Sequence, residues 1–367
     1  MIAYTLSFPG AAAATPAETL ASRLAGKTVF LDPGHQGSAD GQDLARQVDD
    51  GRGGTKECQT TGMTSVNGVG EHTINWNVTQ LVKRSLELLG ARVVLSRNDD
   101  AGWGGCIDER ARAANSSGAD VAVSIHADSA PAGNRGFHLI IPALPIPDPA
   151  ANDAQSGAGL ALSQTIRDSY TRAGFSPANY AGVVDGLQTR ADIAGPALTT
   201  VPLAFVEMGN GGDPEDARTL ETGDGQLKHA VAITTGIVGY LLGGDAAAPV
   251  SEVLPGVADA RGVRPGSPAT PAAPSTESPS TDSTTPRSST PPATTPDTET
   301  SPSVPLLTEG DQDGLIAVVV QVLQPLLDEL GLSGSSSLAD EEMFGLVSDL
   351  ASAIVDAVMQ SGVLEGN

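Results

Sequence analysis

Residues 70–97, GEHTINWNVTQLVKRSLELLGARVVLSR, change period across a single glycine. In the first part Ile74, Val78, Leu81, Ser85 and Leu88 recur at helical spacing along one face, and Gly90 supplies a C-terminal stop. The remainder, ARVVLSR (91–97), reads as a short strand. Working outward, KTVFLDPG (27–34) is a β-branched run ending in a turn. On the other side DERARAANSSG (108–118) reads as a helix and ADVAVSIHAD (119–128) as a strand of the buried type. Farther on, a helix is expected over about residues 160–173, a strand in VPLAFVEMG (201–209) and a closing helix in QLKHAVAITTGIVGYLLG (226–243). Strand alternating with helix indicates an α/β layer fold with its sheet covered on both faces.

Outside this region the composition changes. Residues 246–306 form a Pro/Ser/Thr/Ala tract with eleven prolines between Pro265 and Pro305, which is expected to be a disordered, extended linker. Residues 307–367 regain periodicity in two stripes, one through Leu315, Val319, Leu323, Leu326 and Leu330, the other through Met343, Val347, Leu350, Ile354 and Val358. They read as a small acidic helical hairpin that buries little by itself, so its apolar stripes are expected to meet a protein partner, a second copy or the catalytic domain, with a weakly folded solubility tail as the alternative. The layout is thus a leader (1–25), a catalytic domain (26–245), a linker (246–306) and a hairpin (307–367).

The 367-residue chain carries a net charge of −24, which argues against non-specific binding to nucleic acid or anionic membranes. The charge is uneven, because thirteen acids and no Lys or Arg follow Arg287. No apolar run approaches the roughly 18 residues that a membrane span needs. In the leader an apolar stretch precedes Ala12-Ala13-Ala14, an A-x-A cleavage pattern, although no basic residue comes before Arg23. Export is the expectation; an ordinary N-terminus is the alternative. An exported chain with only Cys58 and Cys106 more often holds a disulfide than a metal pair, with two free thiols as the alternative.

Histidines and acids occupy the expected strand ends. His35 follows the strand in VFLDPG, and His126 ends the strand in VAVSIHAD. Ligand sites in open α/β sheets lie outside the carboxyl ends of strands, so the two could share a metal. Glu71 opens the helix of residues 70–97, where acids also occur simply because they suit helix N-termini. Glu207 follows the apolar run at residues 202–206, which is unusual for a solvated surface acid. His72, His138 and His229 are read as ordinary hydrogen-bonding histidines. A helix of 3.6 residues per turn directs His72 about 100° away from Glu71.

Four separated segments, VFLDPGHQG (29–37), residues 70–99, ERARAANSSGADVAVSIHAD (109–128) and VPLAFVEMGN (201–210), together resemble the zinc-dependent N-acetylmuramoyl-L-alanine amidases of bacterial cell walls. The resemblance covers roughly residues 27–243. It implies a single mixed six-stranded sheet flanked by helices, one Zn2+ held by His35, Glu71 and His126, and Glu207 as catalytic residue. Arg190 matches a position near the substrate, with an Asp192-paired surface arginine as the even alternative. The implied partner is peptidoglycan or a muramyl peptide. Two rival readings are another zinc peptidase acting on stem peptides and a non-catalytic wall-binding protein on the same scaffold.

Overall fold

The computed structural model describes residues 22–39 and 41–243. The expected linker and acidic hairpin lie outside the described residues, as does most of the leader. In chain order the elements begin with β1 (Thr28–Pro33), β2 (Gln47–Asp49), β3 (Thr55–Glu57), α1 (Glu71–Leu88), β4 (Arg92–Leu95) and α2 (Ile107–Ser116). They continue with β5 (Val121–Asp128), β6 (His138–Pro142), α3 (Pro149–Ala154), α4 (Leu160–Arg172) and β7 (Leu187–Arg190). The last are α5 (Ala194–Leu198), β8 (Leu203–Asn210), α6 (Pro214–Glu221) and α7 (Gly223–Leu242).

Six strands form one mixed sheet in the order β4-β1-β5-β8-β6-β7. The first four pair in parallel, whereas β6 runs antiparallel to β8 and carries β7 parallel to itself. This is the architecture that the resemblance implied. Strands β6 and β7 arise from the segment that periodicity left unassigned: HLIIP runs into a proline-laced stretch, and LQTR is a short edge strand with one apolar residue.

Alternation along the three central strands divides the sheet into unequal faces. Val29 and Leu31 of β1, Val121, Val123, Ile125 and Ala127 of β5, and Ala204, Val206 and Met208 of β8 enter the main core. Helices α1, α4 and α7 cover that face. On α1 the buried stripe runs through Ile74, Val78, Leu81, Val82, Ser85 and Leu86. Leu88, expected on that stripe, is only half-buried, one turn-position off the axis of the contact. The opposite face presents Phe30, Ala122 and Leu203 to a much smaller cluster with Ala114 of α2. The rest of that face is free to carry polar side chains.

The helix expected from about residue 160 starts earlier. Asp148 caps α3 by accepting from Ala151 N at 2.8 Å, and the chain passes through α3 and a π turn at Gln155–Gly159 directly into α4. Ala-, Asn- and Gly-rich sequence hides this start, since it has no apolar period. Its hold on the sheet is polar: buried Gln155 donates to the carbonyls of Thr199 and Val201 at 2.8 Å and accepts from Leu203 N at 3.1 Å.

Between β1 and α1 the insert folds back as the two-stranded β2–β3 hairpin. Cys58 and Cys106 form a disulfide, with no free cysteine among the described residues. It ties the insert to the start of α2 across 48 residues of chain. Closing a loop of that length removes denatured-state entropy, so Cys58→Ser/Cys106→Ser should lose about 2–4 kcal/mol in urea unfolding. An unchanged midpoint and slope would show that the insert is held by its other contacts.

Candidate metal centre

The β5 and β8 registers place His126 directly beside Glu207, and β6 places His138 on the other side of Glu207. All three lie in one row on the thinly covered face. His35 reaches the same place from the turn after β1, in a left-handed conformation with φ 61° that is uncommon for a residue with a side chain. Glu71 is the first residue of α1 and is 4 % exposed. Among the described residues His35, Glu71 and His126 offer ligand atoms that all lie within 4.8 Å of one another.

The carboxylate sits between the rings. His35 Nε2 is 3.1 Å from Glu71 Oε2, and His126 Nδ1 is 3.0 Å from Glu71 Oε1. Backbone amides complete the cradle: Met63 N donates to Oε2 at 2.9 Å and Ala127 N to Oε1 at 3.2 Å. Asn75 Nδ2 adds a bond to Oε1 at 3.2 Å. On the far side of the His35 ring, Nδ1 faces the Thr60 carbonyl at 3.2 Å. A carbonyl only accepts, so Nδ1 carries a proton and Nε2 is the nitrogen that faces the cluster. The His126 ring stacks on Phe205 with centroids 4.4 Å apart. It can lie there because residue 34 is glycine, whose Cβ would stand 2.2 Å from His126 Cε1.

Two carboxyls in this site have opposite electrostatics. Burial alone would raise the Glu71 carboxyl, yet the adjoining imidazoles of His35 and His126 hold it well below the usual carboxylate range. Burial followed by repulsion from Glu71 and Asp128 pushes Glu207 well above its ordinary value, with Arg190 opposing. One of its oxygens, Oε2, is buried without a hydrogen-bond partner. For His35 burial disfavours the charged ring, but Glu71 outweighs it and the pKa rises. For His126 burial prevails and the pKa falls.

The structure brings His35, Glu71, His126 and Glu207 to one place. Arg190, at the end of β7, forks onto Asp192 at 2.9 and 2.5 Å while its field reaches Glu207. His72 turns away to Asp100 at 2.9 Å, and His229 lies deep in the core against Tyr170. His138 is more than an ordinary strand residue. It is 1 % exposed, next to Glu207 in register, with Asp128 Oδ2 at 4.0 Å and the Tyr180 ring edge-on at 5.9 Å. Burial depresses its pKa to about 4, so it is neutral near pH 7. The only sequence signal for this is the alternation of HLIIP, legible once β6 is known to pair with β8. Beside the histidines the same face opens into a cleft floored by Phe30, Ala122, Leu203 and Phe205.

Residues 29–238 match the sequence family described as N-acetylmuramoyl-L-alanine amidase. The chain is 39 % identical over 241 residues to the N-acetylmuramoyl-L-alanine amidase Rv3717 of Mycobacterium tuberculosis, covering 66 % of this chain and 95 % of that protein. Its fold is similar to the crystal structure of the N-acetylmuramyl-L-alanine amidase Ami1 from Mycobacterium smegmatis, with a TM-score of 0.56 and 43 % identity. That likeness covers 59 % of this chain and 98 % of the other. The apo form of Ami1 from Mycobacterium abscessus gives the same TM-score and identity, covering 59 % and 99 %.

The raised Glu207 pKa has a measurable cost in protein stripped of metal. Above the ordinary value of 4.5 the unfolded chain gives up this proton more readily than the folded chain, so stability falls as pH rises. Glu207→Gln removes the titration and keeps the shape. In chelator at pH 7 this variant should be more stable than wild type, and the gap should close as pH drops toward 4. A gap that is absent at pH 7 would mean that Glu207 ionises freely in the folded protein.

Proposed function

The chain belongs to the N-acetylmuramoyl-L-alanine amidase family, and on that premise we propose a zinc-dependent hydrolysis at this site. The protein cleaves the amide between N-acetylmuramic acid and the L-alanine of the stem peptide in peptidoglycan. Zinc would be held by His35, Glu71 and His126. The observation that carries this assignment is the aim of the ligand atoms: His35 Nε2 and His126 Nδ1 both face one buried carboxylate, within 4.8 Å overall. Two imidazoles and one carboxylate suit zinc and leave a fourth position for water or substrate, as catalytic sites require.

When bound, the ion supplies Lewis acidity, polarising the scissile carbonyl and bringing water's pKa to about 7. The other steps belong to side chains. Glu207 lies beside His126 in the sheet with a buried, unpartnered oxygen, so it is assigned to take the proton of the attacking water and return it to the departing L-alanine amine. No covalent intermediate is required. Arg190 stands at the rim with Asp192 as its partner, and we assign it to a peptide carboxylate or the developing oxyanion.

The catalytic unit is assigned to residues 26–245. Work on peptidoglycan calls for export, which the leader pattern and the Cys58–Cys106 disulfide both favour. No helix among the described residues is long and apolar enough to cross a membrane. The apolar stripes of residues 307–367 are assigned to a protein partner rather than to the wall polymer, because they carry no basic residue.

Purified muropeptides analysed by mass spectrometry should lose their peptide at the lactyl amide and at no internal peptide bond. Glu207→Gln should lower turnover by about 10²-fold or more while keeping its zinc. Loss of zinc in that variant would move Glu207 into the coordination shell. Full turnover after exhaustive chelation would remove zinc from the mechanism.

A further inference from the structure

Two buried arginines lie directly beneath the cluster. Arg97 is 4 % and Arg110 5 % exposed. Arg97 follows β4 and donates from Nε to the Pro33 carbonyl at 3.0 Å and from Nη2 to the His72 carbonyl at 2.7 Å. Those acceptors stand two residues before His35 and one residue after Glu71. Its Nη1 is held by Asp100 Oδ1 and the Asp99 carbonyl, each at 2.8 Å, and its plane lies 5.1 Å from the Trp76 ring centre. Arg110 of α2 donates to Asp32 Oδ1 at 2.7 Å, to the same Pro33 carbonyl at 2.9 Å and to the His35 carbonyl.

Two like charges converging on one carbonyl is an expensive arrangement in a buried place. Asp32 and Asp100 offset the charge but do not explain why both forks aim at backbone. The acceptors explain it. Arg97 bridges the β1 turn, which bears His35, to the first turn of α1, which bears Glu71, from below, while Asn75 of α1 reaches the Gly34 carbonyl at 3.3 Å. Arg110 grips the carbonyl of His35 itself, whose left-handed backbone needs its surroundings to hold it there. Gly104 makes room for both: a Cβ there would lie 2.2 Å from Arg110 Nη2, 3.1 Å from the His35 carbonyl oxygen and 3.2 Å from Arg97 Cδ.

We propose that Arg97 is a positioning residue for the metal centre, bracing the His35 turn against the Glu71 turn so that the donors stand in ligating geometry before zinc arrives. This rests on the zinc reading above. A ligand set held in place loses less freedom on binding metal, and outer-shell partners of this kind are typically worth 10–100-fold in metal affinity. Lysine cannot replace the planar fork, which spans two carbonyls and a carboxylate at once.

The test uses the full chain, stripped of metal and titrated with zinc against a chromophoric chelator, with thermal unfolding of each stripped form alongside. Arg97→Gln and Arg97→Lys should bind zinc about 10–100-fold more weakly than wild type. Gly104→Ala, whose Cβ would press on Arg110 Nη2, the His35 carbonyl and Arg97 Cδ without removing either arginine, should weaken zinc in the same direction. Arg92→Gln is the comparison for a purely structural role. It loses bonds to the Ser117 carbonyl and Thr28 Oγ1 at the opposite end of β1, so it should cost stability and leave zinc affinity unchanged. Should Arg97→Gln fail to fold, Arg97→Lys and Gly104→Ala still decide the matter. Wild-type zinc affinity in folded Arg97→Lys and Gly104→Ala, whatever their melting temperatures, would overturn the brace and leave the zinc reading standing. A wild-type chain that takes up no zinc would overturn both.

Discussion

Everything at this site depends on burying one carboxylate, that of Glu71. An ion in so dry a place is tolerated only when each lone pair is met. The partners come from four separate stretches: the turn after β1, the insert, α1 itself and the end of β5. Meeting them requires β1 and β5 to be neighbours in the sheet and α1 to begin over their carboxyl ends. The parallel pairing of β1 with β5 and the crossover through α1 and β4 deliver that arrangement. The compensation works without metal, because His35 and His126 supply protons where a cation would supply charge. Metal binding at such a cluster is therefore an exchange of protons for a cation and not the filling of a raw charge defect.

The unequal faces of the sheet explain why reactive groups collect on one side. Large aliphatic side chains of β1, β5 and β8 are committed to the face under α1, α4 and α7. The period of two then leaves Asp32, Ser124, His126, Phe205 and Glu207 for the other face, where α2 and α5 are short and the cover is incomplete. Asp32 shows how this polar layer is kept in order. Burial opposes its ionisation, yet Arg110 and the hydroxyls of Ser96 and Ser124 bring its pKa down to about 2. The row of His126 and Glu207 thus stands beside a second row of fixed charge, which is braced in turn by the backbone that it holds.

Much of this was legible in the chain, for identifiable reasons. Runs such as VAVSIHAD and VPLAFVEMG alternate, so their last polar residues could be placed at strand ends. The convergence of His35, Glu71, His126 and Glu207 was not a matter of spacing; it came from four motifs recurring in the order of a known family. What stayed hidden follows a pattern. Strands β6 and β7 are short and flanked by Pro and Gly, so no period forms. His138 became meaningful only through its register with Glu207. Arg97 and Arg110 look like ordinary charged residues in SRNDD and DERARA, because their burial is created by backbone carbonyls, which no side-chain pattern records.

Glu71 and Glu207 carry the same functional group and are driven in opposite directions, which separates their roles. A carboxyl held ionised among imidazoles and amides suits a metal ligand, and one pushed toward its protonated form, with a buried unpartnered oxygen, suits a carrier of protons. The two are also linked, since the negative charge of Glu71 is among the causes that raise Glu207. A cation bound between Glu71 and the histidines would neutralise that charge and lower the Glu207 pKa toward the range in which a base can act near neutral pH. Metal occupancy and readiness of the base are then coupled through a single carboxylate. In the absence of such a cation, burial and the Glu71 charge both oppose ionisation of Glu207.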